Sequence, residues 1–164
     1  MTLDNQPDPA DDAIDLLALD HDEIRQWFDE YDDLVDDGTD DEARQALALQ
    51  ICNALTAHTA AEEEVFYPAV RAALGDDDEV DEAESEHAAM RELIGQIQLL
   101  DASDDRFDTT VAVLSELVRR HVQEEEGEIF PLMRESRTDL QILGEQIAAV
   151  REDVLASLAE SSKP

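Results

Sequence analysis

The feature that most constrains the fold is a doubled arrangement of histidine, glutamate and proline, which uses all four histidines of the chain. In each copy, a first histidine is followed, about the length of one long helix later, by a second histidine. A glutamate lies four residues after this second histidine and a proline lies ten residues after it. The copies comprise His21, His58, Glu62 and Pro68, and then His87, His121, Glu125 and Pro131. The two histidines of a copy are 37 residues apart in the first and 34 in the second. The sequence therefore predicts two equivalent helix pairs with matching functional groups.

Apolar residues recur at helical spacing through most of the chain, which predicts an all-α fold. We expect four long helices, over about 12–36, 42–74, 79–100 and 105–135. Gly38 and Gly75 suit the residue just past a helix end, and Thr39 with Glu42 resembles a capping box that opens the second helix. Pro68 and Pro131 should kink or nearly end the second and fourth helices. Short turns between long amphipathic segments favour an up-down-up-down antiparallel four-helix bundle.

A further apolar stripe after residue 137 predicts an additional C-terminal helix. Two alternatives stay open for it, packing along the bundle or forming a dimer face. Residues 1–12 are acidic with two prolines and are expected to form a disordered tail. The predicted organisation is therefore a tail over 1–12, the four-helix bundle over 13–136 and an amphipathic helix over 137–160.

The charge of the chain is extreme, with 44 acidic residues against 11 basic ones and a formal net charge of −33. The favoured interpretation is a folded core inside an acidic shell, as in a halophilic protein. Nucleic acid and anionic membranes are poor partners for such a surface. The chain shows neither a signal peptide nor the ~20 consecutive apolar residues of a membrane helix. With Cys52 as its single cysteine, the chain is expected to be cytoplasmic.

The histidines and two of the glutamates fall on the apolar stripes of their helices and should therefore point into the core. The stripes include Leu17, Ile24, Phe28, Tyr31 and Val35 on the first helix and Leu114, Leu117, Ile129 and Leu132 on the fourth. A buried ionised carboxylate without a partner costs on the order of tens of kcal/mol by Born estimates. Two such carboxylates beside four imidazoles call for a cation, and mixed nitrogen and oxygen ligands suit iron, manganese or zinc.

The candidate metal ligands are His21, His58, Glu62, His87, His121 and Glu125. The i,i+4 spacing of His58 with Glu62, repeated by His121 with Glu125, lets both members of each pair reach one site. The neighbouring acids Glu63, Glu64 and Glu126 are attributed to the solvated acidic surface.

The repeated His, His-x-x-x-Glu-Glu and aromatic-Pro elements, over about residues 15–134, resemble the hemerythrin-like, or HHE cation-binding, domain family. The resemblance implies a four-helix bundle around a non-haem di-iron centre. Such a centre contains two iron ions (Fe2+/Fe3+), which an oxo or hydroxo group can bridge. It implies terminal ligation by the four histidines and bridging by Glu62 and Glu125.

The chain departs from the oxygen-carrying members of that family at two points. Arg91 stands where the carriers have a fifth histidine, and Glu84 or Glu86 are alternative fillers of that coordination position. The carriers' second bridge lies five residues past its histidine, which would select Glu126. An i+5 residue lies about 140° round a helix and an i+4 residue about 40°, so Glu125 is preferred.

The leading hypothesis is a di-iron protein that binds or senses dioxygen, nitric oxide or iron. One alternative is a di-iron enzyme, either an oxidase or one that consumes peroxide or nitric oxide. The other alternative is a metal-free helical interaction module. A homodimer through the C-terminal helix is a further expectation. Core packing is the preferred role for Trp27, Tyr31 and Tyr67, and lining an oxygen pocket or supplying electrons is the alternative. Whether the chain is an enzyme is left open.

Overall fold

The computed structural model describes residues 11–38, 40–75 and 78–161, which form helices and turns without a β-strand. The elements are α1 (Ala13–Asp36), α2 (Asp41–Ala61), π1 (Glu62–Phe66), α3 (Tyr67–Leu74), α4 (Asp78–Leu99), α5 (Asp105–Glu124), π2 (Glu125–Ile129), α6 (Phe130–Glu135) and α7 (Leu140–Ser161). α2, π1 and α3 are continuous, as are α5, π2 and α6. Four antiparallel rods result, with α1 packed on α2 and α5, and α4 packed on α5 and α2. The all-α bundle with an additional C-terminal helix is confirmed.

Local capping explains where the rods begin and end. Asp12 caps α1 by accepting a hydrogen bond from the backbone N–H of Asp15, and the Asp15 carboxylate in turn accepts from the backbone N–H of Asp12. Asp40 caps α2 by accepting from the N–H of Ala43, so the cap is not the capping box expected from Thr39, which itself lies outside the described residues. Gly75, with φ +69°, ends α3 in the left-handed conformation.

A five-residue π-turn precedes each proline of the repeat. In π1 the backbone N–H of Tyr67 donates to the carbonyl of Glu62, and in π2 that of Phe130 donates to Glu125. A π-turn inserts one extra residue, which rotates everything after it relative to an α-helical count. This rotation corrects one predicted core residue: Leu132 is exposed, and Met133 is buried in its place. The helices continue for six to eight residues after the turns and end at Leu74 and Glu135, where the sequence predicted their ends.

The C-terminal helix packs along the bundle. α7 contacts α1, α2 and π1, with Ile147 buried in the core. Gly144 allows this close approach, because a Cβ there would lie 3.0 Å from the backbone N of Ala13 and 3.1 Å from the backbone C of Asp12. Ile142 and Leu155 of α7 remain exposed.

The apolar core is divided into two clusters. One contains Phe28, Leu55, Met90 and Leu114, and the other contains Leu17, Phe66, Val80 and Ile147. Val35, predicted as part of the core stripe, is exposed in the last turn of α1. Among the described residues no helix is both long and apolar enough to cross a membrane. The polar residues of the repeat lie between the two clusters.

Candidate metal centre

The six predicted ligands are all buried and converge in the middle of the bundle. His21 comes from α1, His87 from α4, and the His–Glu pairs from the other two rods, each with its glutamate at the first position of a π-turn. Their potential ligand atoms form two groups, within each of which all atoms lie within 4.8 Å of one another. The groups are His21, His58, Glu62 and Glu125, and Glu62, His87 and His121.

The histidines approach each other in pairs through their Nε2 atoms. Nε2 of His21 lies 3.2 Å from Nε2 of His58, and Nε2 of His87 lies 3.3 Å from Nε2 of His121. Two ligands at right angles on a metal with bonds of about 2.1 Å would be about 3.0 Å apart. Each pair therefore has a spacing suited to neighbouring positions on one metal ion.

The two glutamates link these pairs. Oε1 of Glu62 lies 3.4 Å from Nε2 of His58 and 3.1 Å from Nε2 of His87, which belong to different pairs. Oε1 of Glu125 lies 3.2 Å from Nε2 of His21, whereas its Oε2 lies 3.7 Å from Nε2 of His121. Each carboxylate thus spans the two groups in the manner of a bridging ligand.

The carboxylates also provide an internal test of whether a cation fits. Oε2 of Glu62 and Oε1 of Glu125 are buried and have no hydrogen-bond partner. Buried polar atoms in native proteins are almost always satisfied, so an unpartnered carboxylate oxygen beside imidazole nitrogens points to a missing positive ligand. The donor set fits a metal ion on this observation.

Every histidine of the centre also contacts an outer carboxylate through Nδ1. The contacts are His21 to Glu126 at 2.8 Å, His58 to Asp20 at 2.8 Å, His87 to Glu63 at 2.8 Å and His121 to Glu86 at 2.7 Å. An ionised carboxylate can only accept, so each Nδ1–H donates, and in the neutral imidazole this leaves the lone pair on Nε2, which faces the centre. Such carboxylate–histidine pairs are typical of metal sites.

These contacts correct the assignment of Glu63 and Glu126 to the solvated surface. Both are only partly exposed and are held by arginines, Glu63 by Arg91 at 2.8 Å and Glu126 by Arg25 at 3.3 Å. Arg91 therefore faces an outer carboxylate and not the centre. The sequence signal was the duplication itself, since both copies carry acid–His, His-x-x-x-Glu-Glu and an arginine four residues after the first histidine.

The other acids raised by the sequence have different places. Glu86 faces His121 Nδ1, as described, and Glu84 lies further out and accepts from Arg71 at 3.0 Å. Glu64 is exposed, as expected. Asp20 is additionally paired with Arg151 of α7 at 3.3 Å, so the C-terminal helix contacts the outer layer of the centre.

Burial opposes the charged form of each central group, and the pKa values show which contacts overcome it. Burial alone would lower the pKa of His121, but Glu62 and Glu86 raise it to about 10. The pKa of His58 is likewise raised well above its usual value despite burial, chiefly by Glu62. The pKa of Glu62 is held well below its ordinary value despite burial, mainly by His58, whereas burial and the charge of Glu62 raise that of Glu125. The raised pKa values of His58 and His121 mean that a cation at the centre would have to displace protons from these two imidazoles.

Tyr67 is a member of the centre that sequence reasoning placed in the apolar core. Its hydroxyl donates to Oε2 of Glu125 at 2.7 Å and lies 3.2 Å from Nε2 of His87 and 3.4 Å from Nε2 of His121. In an α-helix Tyr67, five residues after Glu62, would face away from it, but π1 brings both to one face. The corresponding residue of the second copy is Phe130, whose ring stacks on His21. The two halves of the centre therefore differ by one phenol.

A small cavity of about 10 Å³ adjoins the four histidines. Besides the histidines it is lined by Ile24, Leu55, Thr59, Met90, Val118 and Val122, which are mostly apolar. Its volume is close to that of a single water-sized sphere.

Comparison with known proteins identifies the family of the chain. The family model described as the hemerythrin HHE cation binding domain matches residues 12–133, which include all six candidate ligands. The chain belongs to this family. The fold is also similar to the crystal structure of a hemerythrin HHE cation binding domain-containing protein from Mycobacterium kansasii, with a TM-score of 0.73 and 24% sequence identity over 90% of this chain and 89% of that one.

A second relative is larger. The chain is 34% identical over 120 residues to a DNA nickase of Nostoc sp. (strain PCC 7120 / SAG 25.82 / UTEX 2576), which covers 73% of this chain. The chain spans 33% of the length of that relative. As a member of the HHE cation-binding family with a buried His/Glu cluster, the chain has the features of a metal-binding protein.

Proposed function

We propose that the chain is a non-haem di-iron protein that binds or senses dioxygen, nitric oxide or iron itself. The observation that carries the proposal is the pair of His–His groups linked by Glu62 and Glu125. One ion would be held by His21 and His58 and the other by His87 and His121, with the two carboxylates between them. Two such ions supply redox chemistry toward a small oxidant, while the protein sets the number of ligands and the access of water.

The ligand chemistry supports iron. Four neutral imidazoles with two carboxylates form a mixed nitrogen and oxygen set, which suits iron and excludes a preference for thiolate-bound metals. Cys52 lies apart in the core, and burial raises the pKa of its thiol to about 12. The thiol therefore does not compete as a ligand.

The apolar cavity beside the histidines supports a diatomic ligand. Its aliphatic walls offer little to a polar or charged molecule, whereas dioxygen and nitric oxide are small and weakly polar. Such a ligand would lie against these walls, beside the four histidines.

One observation favours the enzymatic variant, a di-iron oxidase or a peroxide- or nitric-oxide-consuming protein. Tyr67 presents a hydroxyl donor within the second histidine pair, where it can hold or deliver a proton at Glu125 Oε2. A Tyr67→Phe variant keeps all six ligands. Its peroxide turnover should fall below that of the loaded wild type if the chain is a catalyst that uses this proton. Equal turnover in the two proteins would remove the role of Tyr67, and no turnover in either protein would remove the enzyme.

Strand cleavage is not proposed for this chain. The name DNA nickase belongs to a larger protein, of which the matched region covers 33%. A net charge of −33 also repels the phosphate backbone of DNA.

A homodimer through α7 and a cytoplasmic location remain predictions. The exposed side chains of Ile142 and Leu155 lie on that helix. Light scattering after size exclusion should give twice the chain mass if α7 forms a dimer face, and a monomer mass would contradict it.

Reconstitution with ferrous iron tests the proposed function. Metal-free protein given Fe(II) without air should bind about two irons and develop a visible absorption band when nitric oxide or dioxygen is admitted. Glu62→Ala should lose that band because it removes a bridge. Glu64→Ala, an equal charge change at an exposed position of the same π-turn, should keep it. Wild-type protein that stays colourless and iron-free would contradict the proposal.

A further inference from the structure

A cavity outside the metal centre lies between α1, α2 and α7. Its volume is about 440 Å³, which is in the range of pockets that hold organic molecules. Ile24 and Trp27 of α1 and Leu155 of α7 supply apolar walls, and three alanines of α2 leave space that larger side chains would fill. The cavity is therefore large enough for a ring-sized ligand.

Two polar side chains that line this cavity have no partner within the described part of the chain. Neither the indole N–H of Trp27 nor the amide of Asn53 makes a hydrogen bond to another described residue. Both side chains are half-buried, and both can donate a hydrogen bond. Apolar walls with a few polar groups that fix orientation are typical of ligand pockets. The two donors favour a ligand that carries acceptor oxygens.

The charges around the cavity favour an uncharged ligand. Asp20 and Glu23 line it together with Arg151, which pairs with Asp20 at 3.3 Å. An anion would meet two carboxylates within a net charge of −33, whereas an organic cation would meet the guanidinium. A flat, uncharged ring with carbonyl acceptors fits the walls, the donors and the charge, and a quinone has this chemistry.

The cavity borders the outer layer of the metal centre. Oδ2 of Asp20 accepts the Nδ1–H of His58 at 2.8 Å, so one carboxylate and one imidazole ring separate the cavity from the ion that His58 would hold. The cavity of about 10 Å³ beside the histidines is too small for an organic molecule. An organic reductant would therefore act from outside the buried centre, and this cavity offers it a place to bind.

The internal repeat provides a second groove for comparison. It lies on α4 and α5 and has a volume of about 500 Å³. When the two copies are aligned on their histidines, Trp27, Asn53 and Ala54 of the first correspond to Leu93, Glu116 and Leu117 of the second. The bundle therefore does not require the indole, the amide and the small side chain of the first groove.

We infer that the cavity between α1, α2 and α7 binds an uncharged quinone, whose reduced form, the quinol, supplies electrons to the metal centre. The electron supply rests on the proposed function, because it needs iron to reduce. The ring would lie along the indole and aliphatic walls, with its carbonyl oxygens accepting from Trp27 and Asn53. A quinol that becomes a quinone releases two electrons, which reduce two ferric ions to ferrous ions. The two protons released pass to solvent at the exposed rim near Gln50.

Fluorescence of Trp27 tests the binding site, because this residue is the only tryptophan of the chain. Duroquinone, which has no free ring position for a thiol to attack, is titrated into metal-free protein in salt that keeps it folded. We expect saturable quenching of the indole. Asn53→Glu/Ala54→Leu introduces the residues of the second groove. It should bind duroquinone about 10-fold more weakly, because it loses a donor and free volume.

A matched control separates the cavity from the rest of the surface. Ala89→Leu/Gln96→Glu also adds one leucine and one carboxylate, at exposed positions that line the second groove. It should bind duroquinone as wild type does. The nearly isosteric variant Asn53→Asp should also weaken binding, which guards against misfolding of the double variant. Equal affinities throughout, or no saturable quenching in wild type, would overturn the site.

Mixing iron-loaded ferric protein with duroquinol under anaerobic conditions tests the electron supply. The ferric absorption should bleach at a rate that saturates with duroquinol in wild type and in the control. Below saturation, the Asn53→Glu/Ala54→Leu variant should be slower in proportion to its weaker binding. Equal rates in all three proteins would overturn the role as electron donor. Failure of wild type to bind iron would instead overturn the proposed function, and the quenching titration would still decide whether the site exists.

Discussion

At the scale of single residues, the centre is organised in concentric layers. The three consecutive glutamates of π1 show this most simply: Glu62 faces the histidines, Glu63 accepts from His87 Nδ1, and Glu64 is exposed. The outer carboxylate fixes the orientation of the imidazole and makes its inward nitrogen a better donor. Arg91 in turn holds Glu63 in place.

Replacing Glu63 with glutamine tests the outer layer. The amide can still accept from His87 Nδ1 but lacks the negative charge. We therefore expect about 10- to 100-fold weaker affinity for the ion held by His87 and His121. The affinity of that ion, measured by competition with a chelator, checks this. Glu64→Gln, one residue along, should bind metal as wild type does. Equal affinities for the two variants would show that Glu63 is only a surface acid.

The burial and grouping of the six candidate ligands could be predicted from sequence because histidine is rare and glutamate on an apolar stripe is conspicuous. The outer carboxylates could not be singled out, since a chain with 44 acidic residues offers an acid beside almost every position. Only the matching of Glu63 with Glu126, and of Asp20 with Glu86, distinguished them from the background. Repetition was therefore a better signal than residue type.

At the scale of elements, the π-turns and α7 shape the centre. Each π-turn starts at a central glutamate and ends just before an aromatic residue, so that Tyr67 returns to the face of Glu62. A strict α-helical count cannot foresee this rotation, which is why Met133 was missed and core packing was preferred as the role of Tyr67. The prolines were visible in the sequence, but they mark the turns without giving their geometry.

The seating of α7 depends on Gly144. We expect Gly144→Ala to lower the free energy of unfolding by about 1–3 kcal/mol, because the new methyl would press on the backbone of Asp12 and Ala13. Gly95→Ala is the control, since a Cβ there meets nothing within 4 Å and should stabilise α4 by up to about 1 kcal/mol. Chemical denaturation measures both. A Gly144→Ala protein as stable as wild type would show that α7 is loosely held.

At the scale of the whole molecule, the apolar core stabilises the folded state and the repulsion among acidic residues destabilises it. The two apolar clusters flank a polar centre, and the surface carries most of a net charge of −33. Self-repulsion on this scale destabilises the compact state unless salt screens it. The Debye length falls from about 10 Å at 0.1 M to about 3 Å at 1 M, so screening should improve over that range.

The midpoint of thermal unfolding should therefore rise with potassium chloride between about 0.1 and 1 M. Each kcal/mol gained corresponds to about 2–4 °C for a chain of this size. Differential scanning calorimetry across that series, repeated with an uncharged osmolyte as control, separates screening from general exclusion effects. A midpoint that falls or stays constant with salt would mean that the acidic shell does not limit stability.

The central claim is that two metal ions lie between the histidine pairs and share Glu62 and Glu125. A crystal structure of iron-loaded protein, with anomalous differences collected at the iron edge, tests this most directly. We predict two neighbouring peaks inside the bundle, one on His21 and His58 and the other on His87 and His121, with both carboxylates between them. Peaks only among surface acids, or none within the bundle, would contradict the account.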